Sequence, residues 1–165
     1  MSAHTINCLF FWLLSYTNNE NIQAAMDFSE LGITSDIQLY ELAKQIGLPK
    51  INYIGFSENL RKLPKNGLSI INLGDDQQGG THWTMLWVED GHITYFDSYG
   101  VGPEDPIIQL AGTRRIAYNT KQVQGFSESF CGVWALCAAA FIAKKKDKAA
   151  ALNEFVDQFQ NMLGS

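Results

Sequence analysis

The sequence predicts an α+β chain in which helices cover a β-sheet on both faces. Two features of a hairpin and two helical segments carry this. Asp90-Gly91 separates two strand-like stretches, His82 to Glu89 and His92 to Ser98, and Asp-Gly between such stretches is a strong hairpin signal. Both faces of that hairpin are apolar, with Trp83, Met85, Trp87 and Phe96 on one and Leu86, Val88, Ile93 and Tyr95 on the other, so each needs a cover. Cys131 to Ala143 is a small and apolar run long enough for a buried helix. Asp147 to Leu163 is amphipathic, with Leu152, Phe155, Val156, Phe159 and Leu163 on one side.

The remaining elements follow in order. Ile6 to Leu14 is apolar but too short to span a bilayer, and it lacks a basic leader and a small-residue cleavage site. It is expected to be a buried element, with no membrane partner. Ser35 and Asp36 can cap a helix whose apolar positions are Ile37, Leu39, Leu42, Ala43 and Ile46, stopped by Gly47 and Pro49. Ile51 to Ile54 is extended, and Ser57 to Leu63 suits one or two helical turns. Lys65-Asn66-Gly67 turns the chain into Leu68 to Leu73, apolar like a central strand. Gly74 to Gly80 is a polar loop containing Gly79-Gly80. Ile107 to Leu110 suits a short helix and Arg114 to Tyr118 a strand.

Length and composition bound the function. The 165 residues fit a single domain, 1–165. Apolar residues make up 46% and charged residues 18%, which excludes a disordered chain. Twelve Lys and Arg against 17 Asp and Glu give a net charge of −5, unlike the basic footprint of a dedicated nucleic-acid binder. Lys144 to Lys146 reads as a charge run at a helix C-terminus, favoured by the helix dipole. The three cysteines, Cys8, Cys131 and Cys137, form no C-x-x-C. With His4, His82 and His92 they give no metal-ligand spacing. No metal and no cofactor is expected, and a reducing compartment suits so sparse a set of thiols.

The hairpin arithmetic places two titratable residues together. If Asp90-Gly91 are the central turn residues, Glu89 pairs with His92 and paired numbers sum to 181. Thr84 then faces Asp97, and His82 is a diagonal neighbour of Asp97, about 7–8 Å away between backbone positions. A carboxylate there can fix the imidazole tautomer and stabilise its charged form. A purely structural His–Asp pair tying the hairpin end satisfies the same spacing. His92 falls on the other face beside the turn.

Cys131 falls at the start of the buried helix, where dipole and free N–H groups favour a thiolate. Gly132 leaves the backbone open to a substrate. A nucleophilic thiolate needs a base that also protonates a leaving amine, and His82 can serve. Cys137 and Cys8 read as core fillers. Gln124, seven residues before Cys131, can donate to an oxyanion together with the Cys131 N–H. Taken alone, Cys131 fits a core and Gln124 a surface.

Together the pieces resemble a known family. Gly80-Thr81-His82-Trp83, Tyr95-Phe96-Asp97-Ser98-Tyr99-Gly100, Val123-Gln124-Gly125 and Phe130-Cys131-Gly132-Val133-Trp134 resemble the adenovirus protease (adenain) pattern. That family lies in the superfamily of the ubiquitin-like-protein proteases. The likeness runs from Gly79 to Phe141, and its detail is closest to the maturation proteases of virophages and Polinton-like elements. It implies a cysteine endopeptidase of α+β, papain-related fold with a central mixed sheet. In it His82 is general base and acid, Asp97 its orienting carboxylate, Cys131 the nucleophile and Gln124 the oxyanion donor. Gly80, Trp83 and Gly132 would meet the substrate. The resemblance implies cleavage of capsid or other virion precursors after small residues such as glycine, by a monomer in the virion and the host cytoplasm or nucleus.

Two departures bear on activation. Adenain is basic and is helped by DNA and by a disulfide-linked peptide. This chain is acidic, and its spare thiols, Cys8 and Cys137, do not match the adenain position. Both departures argue against a DNA or peptide activator. The alternatives are a protease for ubiquitin or ubiquitin-like tags, an acyltransferase with the same triad, and a catalytically idle binding module on the same fold.

Overall fold

The computed structural model describes residues 35–74, 82–125 and 130–163, the last three by backbone alone. The Ile6 to Leu14 run and Gly80 lie outside the described residues, as does the Leu163 side chain. The order is α1 (Asp36–Gln45), β1 (Ile51–Phe56), β2 (Gly67–Asn72), β3 (Trp83–Glu89), β4 (His92–Phe96), α2 (Asp105–Ala111), β5 (Ile116–Tyr118), α3 (Cys131–Ala143) and α4 (Lys148–Leu163). The chain is α+β. Its five strands form one mixed sheet in sequence order, parallel at β1–β2 and β4–β5 and antiparallel between.

Local sequence explains the elements. Ser35 accepts the N–H of Gln38, and the Gln38 side chain accepts the N–H of Ser35, a reciprocal cap that starts α1. Gly47, at φ +77°, lets the chain leave it. Ile37, expected on the apolar face, is 72% exposed instead: at about 100° per residue it lies on the side of α1 opposite Leu39, Leu42, Ala43 and Ile46, which bury. Ser57–Asn59 makes a single 3-10 turn, shorter than the turns expected up to Leu63. Strand ends differ as well: β4 closes at Phe96 and β5 opens at Ile116, both shorter than expected, while β1 runs on past Ile54 to Phe56. Asp90 at φ +50° and Gly91 at φ +79° form the hairpin turn, a pair of left-handed residues that matches strand twist. The register is the one the turn dictates, Glu89 opposite His92 and Met85 opposite Phe96.

Two apolar clusters lie on the two faces. Trp83, Met85, Trp87 and Phe96 pack with α1, α3 and α4. Leu86, Val88, Ile93 and Tyr95 pack with Ile107 and Ala111 of α2 and with Leu63. Helix α3 is buried from Cys131 through Ile142, as an element apolar all round must be. Trp134, Phe155 and Phe159 meet edge to face or tilted between α3 and α4, at centroid distances of 4.8–6.3 Å. Each of these fully buried rings contributes on the order of 1.5–3 kcal/mol through area removed from water. The result is a rigid frame in which α3 begins where β3 begins. None of the described helices is long and apolar enough to cross a membrane.

Candidate active site

His82 stands one residue before β3, its carbonyl accepting the N–H of Leu73 at 2.8 Å, which extends the β2–β3 pairing to the site. Its Nε2 lies 2.8 Å from Asp97 Oδ1. Beside a carboxylate that nitrogen carries the proton and donates. Nδ1, the remaining nitrogen, is buried and completes no hydrogen bond. The ring is held from one face by Tyr99, stacked at 4.7 Å between centroids and 21° between planes.

Asp97 follows β4 and is 2% exposed. A buried carboxylate must be satisfied, and the chain does this with a turn. Asp97 Oδ1 accepts the N–H of Tyr99 at 2.8 Å, while the Asp97 carbonyl accepts the N–H of Gly100 at 2.9 Å. Asp at the first position and Gly at the fourth are the residues such a turn favours. Gly100 sits at φ +73°, and a Cβ there would lie 2.8 Å from the Lys121 carbonyl carbon and 2.9 Å from the Thr120 oxygen. The turn can close on the 120–122 segment only with glycine at this point.

Cys131 is the first residue of α3 and is 7% exposed. Its Sγ accepts the N–H of Trp83 at 3.3 Å. The side chain of Phe130, which precedes the helix, caps none of its first N–H groups. Burial works against a charged His82 ring, but the hydrogen bond to Asp97 and the adjoining Cys131 sulfur outweigh it, and the pKa is pushed up from 6.5 to about 9. The sulfur is thus close enough to bias the ring, although Nδ1 has closed no hydrogen bond to it. Such bonds are often long before substrate arrives.

His82, Asp97 and Cys131 therefore share one cluster. No protein-family model matches the chain, and no curated protein matches it. Among solved structures it is similar to the crystal structure of an ASFV protease, at 14% identity over 80% of this chain and 70% of that chain, with a TM-score of 0.45.

The other residues singled out from sequence divide. Trp83 touches the site through its backbone, and its side chain is packed in the core at 8% exposure. Gly132 is buried in the first turn of α3. Gln124 is fully buried, not on the surface, and is joined to the cluster through Ser98, the neighbour of Asp97. Cys137 is wholly buried in the core, where burial pushes its thiol well above the usual range. His92 is exposed opposite Glu89. Among the described residues, no group of three or more His, Cys, Asp or Glu is placed to hold a metal ion.

Asn119 was not apparent from sequence. It is 2% exposed; its Oδ1 accepts the Asp97 N–H at 3.0 Å, and its Nδ2 donates to the Asp97 carbonyl at 2.7 Å and the Lys121 carbonyl at 3.1 Å. A lone asparagine after a strand gives no sequence signal for this. Ser98 and Tyr99 stood inside a recognised motif, but their contacts depend on tertiary structure.

A groove of about 930 Å³ opens far from this cluster, at the other ends of β3 and α3, lined in part by Trp87, Arg115 and Lys144 to Lys146. Lys148 in its wall is already engaged, 3.7 Å from Glu89 and over the Trp87 ring.

Proposed function

We propose that the chain is a cysteine endopeptidase that matures virion precursor proteins, cleaving after small residues. One observation carries the chemistry: Cys131 opens a buried helix beside a His82 ring whose far nitrogen is held by buried Asp97. This is the arrangement that nucleophile, base and orienting group require. The Cys131 thiolate attacks the scissile carbonyl, and the carbonyl electron pair moves to oxygen. The Cys131 N–H and the Gln124 amide are the donors for that oxyanion. On collapse the C–N bond breaks, His82 gives its proton to the leaving amine, and a thioester remains. His82 then takes a proton from water, whose oxygen displaces the thiolate and releases the carboxylic acid. The order and spacing of the His, Asp, Gln and Cys motifs, which resemble the adenovirus protease pattern, support the substrate class.

A limiting iodoacetamide pulse near pH 6, followed by peptide mapping, tests the dyad. Labelling of Cys131 ahead of Cys8 and Cys137, with that lead lost in His82→Ala, supports it. Equal and slow labelling of all three overturns it. Cleavage of virion precursors by the wild type must vanish in Cys131→Ala; residual cleavage overturns the nucleophile assignment.

A further inference from the structure

Gln124 and Ser98 are both fully buried. The Ser98 hydroxyl donates to Gln124 Oε1 at 2.7 Å. The Ser98 carbonyl accepts the N–H groups of Val123 at 2.9 Å and of Gln124 at 3.0 Å. Ser98 therefore holds Gln124 at its side chain and at its backbone. The two grips are separable by mutation, since only the first needs the hydroxyl.

A carboxamide has two ends of nearly the same shape and opposite polarity. In a buried pocket, packing alone does not decide which end faces the reaction. Because the Ser98 hydroxyl donates to Oε1, the oxygen is committed to Ser98 and Nε2 lies at the other end of the amide; reversing the amide would require the hydroxyl to turn and accept instead. The reversed amide would present an acceptor to a developing oxyanion and repel it. We propose that Ser98 is a positioning residue that aims the Gln124 amide as a donor, an inference that rests on the protease reading above. Asp97 and Ser98 are adjacent, so one dipeptide sets both halves of the chemistry. Asp97 holds the proton-transfer ring, and Ser98 holds the oxyanion donor.

The test separates the two halves. Alkylation of Cys131 by iodoacetamide needs the dyad but no oxyanion donor. Acylation of Cys131 by 4-nitrophenyl acetate, read as the nitrophenolate burst, needs both. In Ser98→Ala, alkylation stays within about twofold. Acylation falls about tenfold, less than the 10²–10³ typical when a donor is removed outright. Gln124→Ala falls further, and Ser98→Ala/Gln124→Ala falls no further than Gln124→Ala, because Ser98 acts only through the amide. Ser98→Thr keeps the hydroxyl and retains a rate near wild type. The inference is overturned if Ser98→Ala acylates at the wild-type rate, if its loss persists in full in the Gln124→Ala background, or if Ser98→Thr is as slow as Ser98→Ala. A wild type whose Cys131 shows neither preferential alkylation nor a burst overturns the protease reading itself, and this inference with it.

Discussion

His82 Nε2 and the Tyr99 backbone N–H both converge on one oxygen of Asp97, each at 2.8 Å. The Tyr99 ring also stacks on His82, so a single turn residue braces both partners. The pair is thus over-determined by backbone, and its consequences can be tested residue by residue.

Asp97→Asn keeps the shape and removes the charge. The carboxylate holds the His82 proton on Nε2; an amide can also donate and stabilise the wrong tautomer. Cleavage is expected to fall on the order of 10²–10⁴-fold. The His82 pKa, followed by NMR, moves down from about 9 toward 6.5. An unshifted pKa would show that Asp97 does not support the charged ring.

The same shift makes stability depend on pH in a fixed direction. The folded ring holds its proton up to about pH 9, whereas the unfolded ring releases it near 6.5. The stabilisation is complete below about 6.5 and is lost as pH rises through about 9. The difference in urea midpoint between wild type and His82→Ala should therefore shrink from pH 6 to pH 9.5. A difference that is constant or grows contradicts the ion-pair account.

Asn119→Ala leaves the Asp97 N–H without its buried partner, while the Asp97 carbonyl keeps the Gly100 N–H. An unsatisfied buried group costs about 1–3 kcal/mol. At roughly 2–4 °C per kcal/mol, Tm should drop by several degrees. Activity should fall more than stability explains, because Asp97 loses its brace. A variant with normal Tm and normal kcat would place Asn119 outside the site's support.

Gly100→Ala and Gly91→Ala form a matched pair. Both glycines have φ between +70° and +80°, so both substitutions incur the left-handed penalty of about 1–2 kcal/mol. Only at Gly100 does the new Cβ strike backbone; at Gly91 nothing lies within 4 Å. Gly100→Ala should be clearly more destabilised in thermal melts and should lose activity, while Gly91→Ala keeps it. Equal losses would mean that the close approach at Lys121 relaxes cheaply.

What could be read from sequence was what local chemistry decides. The Asp90-Gly91 turn fixes its own register, and that register alone brings His82 to Asp97. The bounds of α3 followed from an unbroken small and apolar run. Ile37 does not share the apolar face it was counted on: two residues before Leu39 and five before Leu42, it falls on the opposite side of the helix and is exposed. Gln124 was legible as an amide near the cysteine, but its burial was not, since the surrounding polar segment resembles a surface. Asn119 reaches Asp97 across 22 positions. No periodicity or turn rule spans such a separation.

The β3–β4 hairpin acts as a ruler. At about 3.3 Å per residue, the Asp90-Gly91 turn lies about 26 Å along the strand from His82, beyond the far end of β3. Its two-residue length decides which residue of the return strand arrives beside the imidazole. One residue inserted there, in an exposed loop touching nothing catalytic, would slip the register and turn alternate side chains to the opposite face. Harmful changes in this protein need not map near its cysteine: a change of loop length at the far tip can part Asp97 from His82 without substituting either residue.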